Sequence, residues 1–307
     1  MRMNVKNKAH ESLQKLSLNI NNKLYFLSKN IHIFLDKMFL LLLLNIVSAN
    51  VILSSGLTNW TNQQLTFQYN LYKTYKSMNI ITGSSILVYE INENGEMDTY
   101  KTNNNVSAEE YQYRLKKELG LKSYPCFFCD TTIQMCGGQG FSERFEKLYK
   151  NMSGFIDNTI TKAIKYDYDG YYLDIELSTV IDKNKLTHFV NTWSKALKQI
   201  NRTLNIWIDG YLSSYNSTMI YDNNDILLTT MNTYDTTFDI FLSQVALNIG
   251  KIDNNRLSFG FLTYDSVMNS VEIDKIIQWC KIFKPYSLSL WASTIPLSWY
   301  QSIRNYF

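Results

Sequence analysis

The chain is short of histidine, proline, cysteine and glycine, and each shortage excludes something. Its 307 residues include 3 histidines, 3 prolines, 4 cysteines and 12 glycines. Beyond residue 49 only His188 remains, on a stretch of helical spacing where a surface position is expected. A Ser-His-Asp triad or a histidine-based metal centre therefore has almost no material, and no metal is expected. No Gly-Lys-Ser/Thr loop and no Gly-x-Gly-x-x-Gly run occurs, so the motifs call for no cofactor. With so few prolines there is no Pro/Gly-rich linker, and nothing divides the chain after residue 49. Cys126, Cys129 and Cys136 cluster while Cys280 stands apart. In an oxidising compartment one or two disulfides are expected within or from that cluster, with the connectivity open. The other reading of Cys126-Phe127-Phe128-Cys129, half a zinc site, lacks a second pair and nearby histidines.

A long apolar run is missing too. Residues 38–49, Met-Phe-Leu-Leu-Leu-Leu-Leu-Asn-Ile-Val-Ser-Ala, are too short and too interrupted by Asn45 and Ser48 to span a membrane. They read instead as the core of a signal peptide, preceded by Lys29 and Lys37 and ending in the small-residue pattern Val47-x-Ala49. Met38 is an alternative start. Cleavage is expected to leave Asn50 first, in a secreted protein with no stable membrane insertion. Residues 1–49 hold seven basic and two acidic residues, so the remainder has 23 against 25 and a net charge of −2. The formal +3 of the whole chain thus carries no nucleic-acid signal, and the basic residues are scattered. Asn-x-Ser/Thr acceptors stand at Asn59, Asn105, Asn151, Asn201 and Asn216, which permits a glycoprotein.

What is abundant is apolar and aromatic: 45% hydrophobic residues, with 22 tyrosines, 16 phenylalanines and 6 tryptophans. That supplies a large core, and aromatic faces also stack on sugars. After residue 49 strand-like and helix-like patterns alternate. Strands are expected at 50–56, 85–90, 124–129, 170–176, 204–209, 225–232, 257–262 and 287–292. Helices are expected at 65–78, 107–118, 141–166 (one or two), 184–200, 237–249, 271–283 and 296–306. Eight strands in such alternation, within about 258 residues, predict an α/β chain folded as one (β/α)8 TIM barrel at 50–307 and working as a monomer.

The most informative run is Asp169-Gly170-Tyr171-Tyr172-Leu173-Asp174-Ile175-Glu176-Leu177-Ser178-Thr179. In a strand, residues two apart share a face, so Asp174 and Glu176 project together while Leu173, Ile175 and Leu177 project oppositely. Carboxylates desolvated in this way point to acid/base chemistry. In a (β/α)8 barrel chemistry sits at the C-terminal strand ends. Those ends offer Asp174 and Glu176, then Asp209, then Met231-Asn232-Thr233-Tyr234-Asp235, then Tyr264-Asp265, and last Trp291. Acids and aromatics thus gather at one rim, as a sugar site requires.

The central run resembles the Asp-Gly-x-Asp-x-Asp-x-Glu signature of glycoside hydrolase family 18, the chitinases and their endo-β-N-acetylglucosaminidase relatives. Asp169, Gly170, Asp174 and Glu176 match it, and Tyr172 replaces its second aspartate. Met231 with Tyr234-Asp235 is similar to the family's Met-x-Tyr-Asp, one residue longer, and Trp291 stands where the family has a subsite tryptophan. The family's Ser-x-Gly-Gly on strand three is absent, with Gly137-Gly138 displaced downstream. The resemblance implies a glycosidase cleaving β-1,4 linkages at N-acetylglucosamine in chitin, chitooligosaccharides or N-glycan cores. It implies Glu176 as general acid, Asp174 orienting a substrate acetamido nucleophile, Tyr234 holding the acetamido oxygen and Trp291 beneath the sugar. Asp169, Asp209, Met231 and Asp235 complete the expected substrate contacts. Tyr172 keeps an alternative open: a non-catalytic chitinase-like carbohydrate-binding protein on the same barrel. Without an inserted domain between strands seven and eight, the cleft is expected to be shallow and open.

Overall fold

The buried alternation of apolar residues in each strand closes a barrel. The computed structural model describes residues 50–305 except 57–60, 101–106, 131–140, 177–180, 209–211, 213, 232–235, 264–267 and 292–293, and no side chain at 129, 130, 141 or 176. The leader and its expected cleavage site, with the acceptors Asn59 and Asn105, lie outside the described residues.

Eight parallel strands form the barrel: β1 (Asn50–Ser55), β2 (Gly83–Ile91), β5 (Cys126–Asp130), β6 (Gly170–Glu176), β7 (Thr203–Ile208), β8 (Ile226–Met231), β9 (Leu257–Leu262) and β10 (Ser287–Trp291). Each pairs with the next, and β1 pairs with both β2 and β10, which closes the ring. The short β3 (Met97–Thr99) runs antiparallel to β2, and β4 (Lys122–Ser123) adds two residues beside it. The helices α1 (Asn62–Ser77), α2 (Ala108–Leu119), α3 (Phe141–Lys150), α4 (Met152–Lys165), α5 (Lys183–Gln199), α6 (Ser217–Tyr221), α7 (Phe238–Ala246), α8 (Ser270–Phe283) and α9 (Leu297–Arg304) follow the strands in the order a (β/α)8 barrel requires.

Local chemistry sets these boundaries. Thr61 and Gln64 cap α1 reciprocally, starting it three residues before the first apolar position that the sequence pattern marks. Asp182 caps α5 through the amides of Asn184 and Lys185. The expected helix over 141–166 is two helices meeting at Asn151. The β3 hairpin and the single turn α6 carry too few apolar residues for periodicity to reveal. His188 is exposed, as expected of a surface position on α5.

The pleat splits the core in two. Outward positions such as Leu53, Phe127, Leu173, Ile206 and Leu290 pack against the helices. Inward positions Ile52, Cys126, Tyr172 and Trp207, with Tyr124, form a smaller cluster inside the ring. Cys126 is a free thiol in that inner cluster and Cys280 a free thiol on α8 in the outer one. Because both thiols are free the expectation of disulfides is corrected for both, and the wall of the barrel separates the two. The side chain of Cys129 and all of Cys136 lie outside the described residues. Of the described glycosylation acceptors, Asn151 and Asn201 are exposed, while Asn216 is tied to Asn184 and caps α6. Among the described residues no helix is long and apolar enough to cross a membrane.

Candidate active site

Asp169 immediately precedes the strand β6 and Glu176 ends it, so the run has one end at each mouth of the barrel. At its start the Asp169 carboxylate accepts from the Ser123 amide at 2.8 Å and from Lys116 Nζ at 2.9 Å. Gly170 is required where it stands because a Cβ there would lie 2.3 Å from the Thr203 carbonyl oxygen of β7. Asp169 and Gly170 are thus an anchor at the N-terminal mouth. About six residues of extended chain, roughly 20 Å, separate it from the other mouth. The expected substrate contact at Asp169 is corrected on that ground.

At the other end Asp174 lies inside the barrel, 5% exposed. Its backbone is opposite Phe128, and the neighbouring Cys126 thiol feels its charge: burial first, then Asp174, push that thiol well above its ordinary value. Cys126 is therefore protonated and inert as a nucleophile. Glu176 is the last residue of β6, its backbone opposite Asp130, and its side chain lies outside the described residues.

Below Asp174 the described interior side chains are neutral. The Tyr172 hydroxyl stands 3.0 Å from Ser289 Oγ, and burial raises its phenol so far that it stays protonated. Tyr124 stacks on Tyr172 with centroids 5.6 Å apart. Thr229 Oγ1 donates to Asn205 Oδ1 at 2.8 Å, and Ser287 Oγ to Ser258 Oγ at 2.8 Å. Where the family signature has a second carboxylate, this chain thus has a hydroxyl satisfied by a hydroxyl.

Met231, last in β8, is half-buried and packs on the inner cluster. Trp291, last in β10, is half-buried and meets Trp207 edge to face at 6.4 Å and 82°. The structure therefore brings Asp174, Met231 and Trp291 to the C-terminal end of the ring. Asp209, Tyr234 and Asp235 lie outside the described residues.

Two residues here escaped the sequence reading. Trp207 lies on the inner face of β7, two places before Asp209 in the sequence, so period-two alternation read back from Asp209 selects it as well. Glu90, next to last in β2, faces away from Tyr89 and Ile91, which pack in the outer core; after burial, its charge helps push the Tyr100 phenol up. A cleft of about 190 Å³ lined by Leu65, Tyr111 and Arg114 lies between α1 and α2 and holds none of these groups.

No protein-family model matches the chain, and no curated protein matches it in sequence. Solved structures do match in fold. A chitinase from Chromobacterium violaceum ATCC 12472 superposes with a TM-score of 0.67 at 11% identity, over 84% of this chain and 99% of that one. The GH18 chitinase ChiB from the chitin utilization locus of Flavobacterium johnsoniae gives 0.62 at 12% identity, over 84% and 94%. YKL-39, solved in the presence of chitooligosaccharides, gives 0.63 at 10% identity, over 83% and 98%. The chain therefore has the (β/α)8 fold of the glycoside hydrolase family 18 chitinases and of chitinase-like proteins.

Proposed function

We propose that this chain is a glycoside hydrolase acting on β-1,4 linkages at N-acetylglucosamine, by a retaining mechanism in which the substrate supplies the nucleophile. The observation that carries the reading is Asp174: a carboxylate buried inside the barrel near the C-terminal end of β6, two residues before Glu176, with Trp291 ending another strand at the same mouth. A buried carboxylate is expensive unless chemistry or pairing retains it.

In this reading Glu176 gives its proton to the glycosidic oxygen as the bond to the anomeric carbon breaks. The substrate's acetamido oxygen attacks that carbon from the opposite face, forming a cyclic oxazolinium. Asp174 holds the acetamido N–H and balances the positive charge that develops there. Water then opens the ring, returning one proton to Glu176, and the second inversion restores the β anomer. Substrate assistance of this kind departs from the two-carboxylate scheme. Tyr234 holds the acetamido oxygen, Trp291 lies beneath the sugar, and Asp209, Met231 and Asp235 line the subsite. Chitin, chitooligosaccharides and N-glycan cores all present the required group, and an open cleft suits endo action on accessible chains.

Release of a fluorophore from a chitobioside or chitotrioside tests the reading; no turnover by the folded protein overturns it. By the signal-peptide reading of residues 38–49 this enzyme works outside the cell or in an endomembrane lumen; the proposal also takes it to be a monomer. Sequencing the secreted form is expected to begin at Asn50, and an intact cytosolic chain beginning at Met1 refutes that part.

A second reading, a carbohydrate-binding protein without catalysis, is favoured by one observation: the neutral Tyr172–Ser289 pair beneath Asp174 in place of a second carboxylate. Binding of N-acetylglucosamine oligomers without turnover selects it.

A further inference from the structure

Trp207 has no role in the mechanism above, yet the barrel is built around it. It lies on the inner face of β7 and is 4% exposed. Its six-membered ring passes over Gly260 of β9. A Cβ at Gly260 would lie 2.4 Å from Trp207 Cζ3 and 2.6 Å from Cη2, closer than real carbon atoms approach. Only glycine at 260 lets the indole occupy this place. The same ring meets Tyr172 edge to face at 6.4 Å and 74°, and Trp291 at 6.4 Å and 82°. Its Nε1 finds no acceptor among the described residues, where its neighbours are packing contacts.

Trp291 differs in being half-exposed at the mouth. A surface indole free to change rotamer loses that freedom when a sugar stacks on it, which weakens binding. An indole already held by a buried edge-on neighbour has less to lose.

We propose that Trp207 is a positioning residue for sugar binding: it fixes the plane of Trp291 for the ring of an N-acetylglucosamine unit, and Gly260 is the gap that admits it. The inference rests on the glycosidase reading above, and names a residue pair that the reading does not use.

The test measures binding of N-acetylglucosamine tetramer by calorimetry in a Glu176→Gln background. Trp207→Phe, which shortens the ring, is expected to weaken binding about two- to tenfold, the size of one side chain's lost ordering. In a background that also carries Trp291→Ala, the same change is expected to have little further effect. Gly260→Ala, with Trp207 intact, is expected to weaken binding in the same direction by displacing the indole. Thermal melts establish that each variant is folded. Equal losses from Trp207→Phe with and without Trp291 would show that Trp207 does not act through it, and overturn the proposal. Unchanged affinity in folded Trp207→Phe and Gly260→Ala overturns it as well. Absence of any binding by the parent Glu176→Gln protein instead sinks the glycosidase reading itself, and this inference falls with it.

Discussion

The hydroxyls of Tyr172 and Ser289 stand 3.0 Å apart across the inside of the barrel, beneath Asp174. This pair replaces a carboxylate with a neutral, satisfied contact, and several consequences can be measured. Tyr172→Phe removes one buried hydroxyl and leaves Ser289 in need of a partner, so it is expected to cost about 1 kcal/mol of stability. Tyr172→Asp restores the signature's acid, but into an interior furnished with hydroxyls, an amide and no cation among the described side chains. It is expected to cost more than Tyr172→Phe and to lower the melting temperature further. Thermal denaturation of the two variants side by side ranks them, and a more stable aspartate variant contradicts this account of the interior.

Glu176→Gln is expected to preserve fold and sugar affinity while lowering kcat by at least about a hundredfold, because a carboxamide keeps the shape and has no transferable proton. Steady-state kinetics on a fluorogenic chitotrioside reads this. Near-native kcat in the variant refutes the role given to Glu176.

Asp174→Asn is expected to slow hydrolysis strongly while leaving residual activity, since an amide still orients the acetamido group without balancing its charge. The first sugar formed by the wild-type protein is expected to be the β anomer, and oligomers lacking the N-acetyl group are expected to fail. Proton NMR of the fresh product decides the anomer. An α product would assign a water-activating role to a second carboxylate, with Asp209 and Asp235 the candidates. Equal cleavage of glucose and N-acetylglucosamine oligomers excludes the acetamido nucleophile even with a β product.

On the outer side of the barrel Glu109 is 6% exposed and receives Lys162 Nζ at 2.6 Å, Tyr89 Oη at 2.9 Å and Tyr166 Oη at 2.9 Å. Burial alone raises its carboxyl; the hydrogen bonds from Lys162 and the two tyrosines, with the lysine's charge, outweigh it and hold the group below the ordinary carboxylate value. A depressed folded value means stability that is complete above the unfolded pKa, about 4.3, and lost as pH falls through the lower folded one. Glu109→Gln is expected to flatten the acid limb of the stability curve, and Glu109→Ala to cost about 3 kcal/mol at neutral pH, because it leaves Lys162 and two tyrosines without their acceptor. Urea denaturation across the acid range checks both. An unchanged acid limb in Glu109→Gln would mean the carboxylate is not linked to folding.

Much of this was legible in the chain itself. Strand and helix alternation reveals a closed eight-stranded barrel because buried strands and amphipathic helices must each repeat with their own period, and eight right-handed units leave no free edge. The same alternation places Asp174 on the inner face, and the spacing to Glu176 follows from the backbone alone. The tertiary structure decided what alternation cannot. Asp169 belongs to the anchor with Lys116 and Ser123, because the opposite mouth is a strand's length away. Cys126 and Cys280 are on opposite sides of the barrel wall, a separation that spacing along the chain does not encode. Tyr172 meets Ser289, 117 residues on, and Trp207 reaches Trp291 over the gap at Gly260. Periodicity tells which face a residue takes, since that depends on its neighbours in sequence; which residue it meets across the ring depends on the stagger of all the strands, and only the closed barrel fixes that.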